Sequence, residues 1–154
     1  MGDTEKVDVV IIGGGPAGLS AAVYCGRALM DTVIMEKNVV GGQIIEAYDV
    51  DNYPGFHEGI TGPELIDNMQ AHAERFGARI VQNGADDLTA EGRMKRVLAD
   101  DGAEYIAPIV IIASGASHRK LDVPGEKELS GKGVSYCATC DGPFFRDKRL
   151  VVVG

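Results

Sequence analysis

Cysteine is scarce in this 154-residue chain, which has only Cys25, Cys137 and Cys140. A chain of this length can bury a core without disulfide staples, so the fold does not need them. Long apolar runs are also missing. The longest, such as residues 9–12 and 109–113, are far shorter than the about 20 residues that a membrane-spanning helix requires. The sequence therefore predicts no transmembrane segment.

Positive charge is in short supply as well, because 15 Lys and Arg face 23 Asp and Glu, for a net charge of −8. Nucleic acids and anionic membranes are themselves negative, so this balance argues against a general surface for either. Asp3, Glu5 and Asp8 occupy positions at which a signal peptide would have Lys or Arg. A soluble cytoplasmic protein is the expectation, and 45% hydrophobic with 25% charged residues is typical of a globular fold.

The N-terminal stretch "VDVVIIGGGPAGLSAAVYCGRALMDTVIMEK" predicts a strand, a turn, a helix and a second strand. Residues 7–12 are rich in β-branched side chains, as in a strand that is covered on both faces. Residues 16–30 tolerate a helix, and residues 32–35 return to strand character. This order is a βαβ unit.

Glycines follow the first strand in the pattern G-x-G-x-x-G, at Gly13, Gly15 and Gly18. The first permits a tight turn, the second removes a side chain that would block a pyrophosphate, and the third lets helix and strand pack closely. The helix N-terminus supplies amide donors to phosphates. Glu36 ends the next strand, 18 residues after Gly18, and an acid at this place can bind ribose hydroxyls. The set predicts a dinucleotide site, FAD or NAD, the alternative being a turn used only for packing.

Further elements are predicted along the chain. "TGPELIDNMQAHAERFG" favours a helix capped by Thr61 and stopped at Gly77. "MKRVLADDGAEYIAPIVIIAS" predicts a hairpin leading into a buried strand. Single strands are predicted in "ARIVQ" and in the terminal "KRLVVVG".

Two turns of small residues leave alternatives open. "GGQ", residues 41–43, is either a second close backbone approach to a cofactor or a flexible turn. "ASGA", residues 113–116, ends a buried strand and is either a ligand approach or a crowded crossover.

The segment "SYCATCDG" places Cys137 and Cys140 two residues apart. In a cytoplasmic chain this spacing favours redox or metal chemistry over a structural staple. A disulfide across so short a loop stabilises a fold by only about 2 kcal/mol. Zinc needs four ligands, and the other candidates are not at paired spacing: Cys25, His57, His72 and His118. Redox chemistry is the prediction, with zinc and inert thiols as alternatives.

Asp141 follows the cysteine pair directly. It could cap a helix that begins near "DGPFF", or its carboxyl could carry the proton that each thiolate takes or leaves. The same charge disfavours a thiolate on Cys140, whereas a helix N-terminus favours one. The two effects oppose each other.

Six motifs in this order, "GGGPAG", "GGQ", "DNYPG", "ASGA", "VPGE" and "CATCDG", closely resemble those of low-molecular-weight, bacterial-type thioredoxin reductases, from about residue 7 to residue 154. The resemblance implies an α/β fold in which a Rossmann-like FAD-binding domain is interrupted by a Rossmann-like NADPH-binding domain. It implies a first FAD segment at 1–117, a linker at 118–124, and the start of the NADPH domain at 125–154. The chain is accordingly expected to be a truncated, N-terminal fragment, which does not by itself oxidise NADPH at an intact enzyme's rate.

The resemblance also implies roles for matching positions. The FAD pyrophosphate would be held by Gly13, Gly15, Pro16, Ala17 and Gly18, and the adenosine ribose by Glu36. The flavin side would be approached by Gly42, Gln43 and Asn52, and the adenine and the cofactor's flank by Ala85, Ala113, Ser114, Gly115 and Ala116. Cys140 would face the flavin, Cys137 would exchange with thioredoxin, and Asp141 would be the acid.

The activity implied is a homodimeric, FAD-dependent reductase that passes electrons from NADPH through FAD and the cysteine pair to thioredoxin, with no metal. Two alternatives remain. One is a related flavoprotein that uses ferredoxin or small dithiols, and the other is an inactive, truncated FAD-domain fragment.

Overall fold

The computed structural model describes residues 3–47, 49–130 and 132–153, and the side chains of residues 139, 140, 143 and 144 fall outside the description. Within these residues the chain divides into two units, with the boundary between Gly115 and Ala116. Each unit has its own set of internal contacts.

The first unit contains eight strands and two longer helices among its described residues. The strands are β1 Thr4–Lys6, β2 Val9–Ile12, β3 Thr32–Met35, β4 Arg79–Val81, β5 Ala85–Glu91, β6 Met94–Ala99, β7 Glu104–Ala107 and β8 Ile109–Ile112. The helices are α1 Pro16–Arg27 and α2 Gly62–Arg75, and a 3₁₀ helix spans Gly42–Glu46.

A parallel sheet with the strand order β4-β3-β2-β8 lies at the centre of the unit. Its middle strand β2 pairs with β3 and β8, and Val9 lies opposite both Thr32 and Ile109. Val9, Val10 and Ile11 have no exposed surface, as expected for a strand covered on both faces. The predicted α/β class and the βαβ unit are confirmed.

The two faces of this sheet are covered by different layers. Val10 and Val33 pack with Val97 and Tyr105 of the second sheet. Ile11, with Val9 and Ile34, packs instead against residues of the two helices, among them Leu19, Ala22, Ile66 and Ala73. Each large apolar side chain that is fully buried contributes about 1.5–3 kcal/mol. The alternation of adjacent β2 residues between the two clusters follows from the two-residue period of a strand.

The second sheet has the order β1-β7-β6-β5. Strands β6 and β7 pair antiparallel, with Lys95 opposite Ala107, so the predicted hairpin is confirmed. The strand predicted at residues 7–12 is present but starts at Val9, because Val7 and Asp8 connect β2 to β1, which belongs to the other sheet. Strand β5 was not predicted, since it is mostly exposed and carries no apolar alternation.

Helix α1 ends at Arg27, three residues short of the predicted end. Leu29 adopts φ 60°, in the left-handed region, which cannot continue a right-handed helix. Helix α2 begins and ends as predicted, with Thr61 as its cap and Gly77 at φ 86° beyond its end. Neither helix, nor any other in the described part of the chain, is long and apolar enough to cross a membrane.

The second unit contains the short helix α3, Ala138–Asp141, followed by a 3₁₀ helix, Gly142–Phe145. The predicted strand in "KRLVVVG" is wrong for the described residues, since 149–153 have no strand structure. Leu150 and Val151 are 59% and 88% exposed. A strand needs a neighbour for its backbone groups, and none of the described residues pairs with this segment.

Candidate functional site

The turn after β2 is built on two glycines that the protein's own packing requires. Gly13 has φ 109°, and a Cβ there would lie 2.3 Å from the Ala113 carbonyl oxygen. A Cβ on Gly18 would lie 1.9 Å from the Gly13 carbonyl oxygen. Both distances are shorter than any real Cβ contact, so a side chain at either position forces the turn apart.

Gly15 has a different environment. Its backbone is extended, with φ −78° and ψ −177°, and the only atom within 4 Å of a Cβ there would be the Gly41 carbonyl oxygen, at 3.9 Å. The turn therefore presents an open face at the N-terminus of α1. Because the first amides of a helix have no partners within it, those of Ala17 and Gly18 can serve an anion at this end. The open face fits the pyrophosphate of a dinucleotide.

Glu36 follows β3 at the same edge of the sheet. Its Oε2 accepts a hydrogen bond from the Gly14 amide at 2.8 Å, and its Oε1 accepts one from the Asn38 amide at 2.8 Å. Each carboxylate oxygen keeps further acceptor capacity, so ribose hydroxyls can still bind. The carboxyl ends of parallel strands are where such folds bind ligands, and Gly13 and Glu36 both follow parallel strands there.

Gln82 was not predicted as a site residue. Its Nε2 lies 3.2, 3.1 and 2.6 Å from the backbone carbonyl oxygens of Glu36, Lys37 and Asn38. The sequence places it only at the end of the predicted strand "ARIVQ", and the pairing of that strand, β4, with β3 is what brings it to the Glu36 turn.

The second glycine turn packs on the first. The Gly41 amide donates to the Gly14 carbonyl at 3.0 Å, and a Cβ on Gly42 would lie 3.7 Å from the Gly15 Cα. The turn "GGQ" is therefore packed against the first glycine turn, and its approach to a cofactor stays a prediction. Gln43 is exposed in the 3₁₀ helix that follows.

The remaining candidates in the first unit are more dispersed. Ala113 packs its backbone on Gly13, which favours a crowded crossover for that part of "ASGA", whereas Ser114 and Gly115 are exposed. Ala85 is half-buried at the start of β5. Asn52 lies exposed in a loop between Val50 and Ile60, whose backbones pair. Ala116 is exposed and begins the second unit.

Cys137 of the second unit is disulfide-bonded. The Cys140 side chain, the predicted partner, lies outside the described residues. Cys25 is a free, half-buried thiol in α1, and burial raises its pKa above the ordinary value. A raised pKa lowers the thiolate fraction, so Cys25 is poorly suited to exchange.

The residues before Cys137 hold its backbone in place. The Cys137 amide donates to Ser135 Oγ at 3.0 Å. The Tyr136 hydroxyl donates to Glu126 Oε1 at 2.5 Å, and Glu126 Oε2 also accepts from the Asp122 amide at 2.7 Å. The Tyr136 hydrogen bond, followed by one from the Leu121 amide, lowers the pKa of Glu126, and Glu126 in turn raises the pKa of Tyr136. Sequence reasoning missed this pair.

Asp141 is the last residue of α3, and its amide donates to the Cys137 carbonyl at 3.0 Å. It also precedes the 3₁₀ helix Gly142–Phe145, but no side-chain hydrogen bond caps that helix. Among the residues that the structure describes, no group of three or more His, Cys, Asp or Glu could hold a metal ion.

The model of the family described as pyridine nucleotide-disulphide oxidoreductase matches residues 7–154. The match covers nearly the whole chain, including the glycine turns and the cysteine segment. The chain belongs to this family.

The chain is similar to proteins that are named as thioredoxin reductases. A thioredoxin reductase of Bacillus subtilis (strain 168) is 50% identical over 154 residues, which are 100% of this chain and 48% of that protein. The thioredoxin reductase structure from Streptococcus pyogenes MGAS5005 has a TM-score of 0.85 at 44% identity, covering 92% of this chain and 46% of that one. A ferredoxin-flavin thioredoxin reductase from Clostridium acetobutylicum has a TM-score of 0.67 at 32% identity, covering 92% and 49%.

These similarities confirm the resemblance to bacterial-type thioredoxin reductases that the motifs predicted. The chain spans about half the length of the curated relatives it matches.

Proposed function

We propose that this chain carries the FAD-binding and disulfide-bearing segments of a thioredoxin reductase. In that reaction NADPH would be the electron donor, FAD would supply the link to the Cys137–Cys140 disulfide, and thioredoxin would be the substrate that is reduced. The observation that carries the proposal is the presence, on one chain, of an open glycine face beside Glu36 and of a disulfide-bonded Cys137 in a Cys-x-x-Cys segment. The names of the relatives support the choice of substrate.

The residues present fit FAD. Gly13, Gly15, Pro16, Ala17 and Gly18 would hold its pyrophosphate, and Glu36 would bind the adenosine ribose. The flavin side would be approached by Gly42, Gln43 and Asn52. The adenine and the cofactor's flank would lie near Ala85 and the turn of Ala113, Ser114, Gly115 and Ala116, in which the Ala113 backbone packs on Gly13. FAD, when bound, supplies the two-electron chemistry that links a pyridine nucleotide to a disulfide.

The protein's own residues then carry out disulfide exchange. The Cys137 thiolate attacks a sulfur of the thioredoxin disulfide, forming a mixed disulfide and releasing the second thioredoxin sulfur as a thiolate. The Cys140 thiolate then attacks the Cys137 sulfur of the mixed disulfide, which closes the Cys137–Cys140 disulfide and releases the other thioredoxin sulfur as a thiolate; the two thioredoxin thiolates take up one proton each to give the dithiol. Asp141 holds the proton that the departing thiolate takes up.

The organisation of the chain follows from the same proposal. Residues 1–117 are the first FAD-domain segment, 118–124 a linker and 125–154 the start of the NADPH-binding domain. The protein acts as a homodimer in the cytoplasm.

The flavin absorbance of the purified chain, measured with and without added FAD, tests the proposal directly. We expect bound flavin that survives gel filtration, and its loss in Gly15→Val, whose side chain fills the open face. A chain that retains no flavin after incubation with FAD contradicts the proposal.

Reduced ferredoxin is an alternative electron donor, which is favoured by one observation, the similarity to the ferredoxin-flavin thioredoxin reductase of Clostridium acetobutylicum. In a chain extended to the length of the relatives, NADPH and reduced ferredoxin can be compared as donors. The extent to which Cys137 is alkylated measures how much of its disulfide each donor has reduced. Reduction by ferredoxin and not by NADPH would replace the proposed donor.

A further inference from the structure

Gln82 makes an unusual set of contacts for an exposed side chain. Its single amide nitrogen lies within 3.2 Å of three consecutive backbone carbonyl oxygens, those of residues 36–38. The shortest of the three distances, 2.6 Å, is to Asn38. A primary amide has two N–H donors, so the three carbonyls share them.

The orientation of this amide follows from its surroundings. Carbonyl oxygens only accept hydrogen bonds, so turning Gln82 over would point its own oxygen at three acceptors. The nitrogen must therefore face the turn. Of the natural side chains of this size and shape, Glu lacks the donors and Met lacks them as well.

The turn that Gln82 holds carries Glu36. The Asn38 amide donates to Glu36 Oε1 at 2.8 Å, so the position of Asn38 fixes one oxygen of the carboxylate. The Gly14 amide fixes the other oxygen at 2.8 Å. Gln82 thus acts on the carboxylate through the turn, whereas the Gly14 amide contacts it directly.

The pairing of β3 with β4 does not depend on this side chain. The Glu36 amide donates to the Val81 carbonyl at 3.0 Å, and Met35 lies opposite Val81 in the ladder. Gln82 is exposed, so little apolar surface is lost when it is shortened. The hydrogen bonds of its amide therefore fix the turn of residues 36–38 and are not needed for the strand pairing.

We propose that Gln82 is a positioning residue for the binding of the ADP half of FAD. Gln82 orients Glu36 toward the adenosine ribose and does not itself contact the cofactor. This inference rests on the proposed FAD function. It predicts that loss of Gln82 lowers the affinity for FAD and ADP but does not lower the free energy of unfolding. The affinity should fall only when Glu36 is present.

The test uses the purified chain and measures dissociation constants for FAD and for ADP by calorimetry. Gln82→Ala removes the donors, and Gln82→Glu keeps the size while placing oxygens against the three carbonyls. Asn83→Ala is the matched control, because its neighbouring amide donates instead to Asp101 at 2.9 Å. We expect Gln82→Ala to weaken both ligands about three- to tenfold, Gln82→Glu to weaken them at least as much, and Asn83→Ala to match the unaltered chain.

A double-mutant cycle with Glu36→Ala decides whether Gln82 acts through Glu36. In the Glu36→Ala background, Gln82→Ala should not weaken the binding of ADP or FAD any further. The thermal midpoint of unfolding of Gln82→Ala should equal that of the Asn83→Ala control. An unchanged affinity in Gln82→Ala, or an equal loss with and without Glu36, overturns the inference while FAD binding stands. Failure of the unaltered chain to bind either ligand overturns the proposed function and this inference together.

Discussion

The backbone amide of Gly41 donates a hydrogen bond to the carbonyl oxygen of Gly14, with 3.0 Å between nitrogen and oxygen. The Gly14 amide is meanwhile bound to Glu36 at 2.8 Å. One peptide group of the first glycine turn is thus tied to the second glycine turn, and its neighbour is tied to the carboxylate. Residues that are far apart in sequence are held as one surface, in which a Cβ on Gly15 would meet no atom closer than 3.9 Å.

The glycines of this surface should separate stability from binding. Gly18→Ala should lower the free energy of unfolding by more than about 1–3 kcal/mol, the usual cost of overpacking, because its Cβ would lie 1.9 Å from the Gly13 oxygen. Gly15→Ala should unfold as the unaltered chain does, since its Cβ meets nothing closer than 3.9 Å. Urea denaturation followed by circular dichroism measures both.

FAD titration of the same two variants completes the comparison. Gly15→Ala should bind FAD at least tenfold more weakly, about 1.4 kcal/mol, because its methyl group occupies the open face. If Gly15→Ala keeps full affinity, the pyrophosphate does not lie there.

Glu36→Gln should weaken FAD and ADP about 10- to 100-fold, as expected when hydrogen bonds to a charged group are lost. The variant amide must also turn an N–H toward the Gly14 or the Asn38 amide, since both donate to Glu36. Calorimetric titration with each ligand measures the change. Glu58→Gln, at a side chain that is 87% exposed, should have no effect, and equal losses in the two variants would point to a non-specific charge effect.

Thr61→Ala should lower the free energy of unfolding by about 1 kcal/mol. Thr61 Oγ1 accepts from the Glu64 amide at 3.3 Å, and the Glu64 carboxylate accepts from the Thr61 amide at 3.4 Å, which completes a capping box. Thr61→Ser keeps the hydroxyl and is the control. A loss of the same size in Thr61→Ser would assign the effect to the methyl group instead of the cap.

The contact between Tyr136 and Glu126 should respond to pH at both ends. Because the pKa of Glu126 is lowered in the fold, its contribution is present above the unfolded value of about 4.3 and is lost as pH falls through the folded value. The pKa of Tyr136 is raised, so its contribution is present below about 10 and is lost as pH rises through the folded value.

Tyr136→Phe removes the largest cause of the Glu126 shift and should bring the pKa of Glu126 back up toward its ordinary value. Carboxyl carbon NMR of Glu126 across an acid titration measures this. Tyr24→Phe, at a ring that is 74% exposed, should leave that titration where it is in the unaltered chain. A Glu126 pKa that does not move in Tyr136→Phe would assign the shift to the backbone amides.

The two cysteines of "CATC" should have unequal roles in thioredoxin exchange. Cys140→Ser leaves Cys137 free to form a trapped mixed disulfide with a thioredoxin that lacks its resolving cysteine, whereas Cys137→Ser should trap none. Non-reducing electrophoresis and mass spectrometry identify the linked cysteine. Cys25→Ser is the control and should change nothing, because burial raises the Cys25 pKa. Trapping on Cys140 would reverse the assignment, and trapping on neither would remove the pair from exchange.

The sequence predicts those parts of the fold whose residues are buried on a regular period. The apolar run of β2, the helix after Gly15 and the β6–β7 hairpin all have such a signal. Strand β5 and Gln82 have none, because they are exposed and polar, and only the tertiary pairing of β4 with β3 brings Gln82 to the Glu36 turn. The strand predicted in "KRLVVVG" is wrong for the described residues, because an apolar run does not by itself supply a neighbouring strand to pair with.

Strand β2 meets its two neighbours at very different moments of synthesis. Val10 pairs with Val33 soon after it is made, but Val9 and Val10 wait for Ile109 and Val110, 100 residues further along the chain. At about 5–20 residues per second that delay is about 5–20 s. A ribosome-bound chain that has not reached β8 therefore presents an unpaired, wholly apolar strand edge, the kind of surface at which nascent chains associate and to which chaperones are directed.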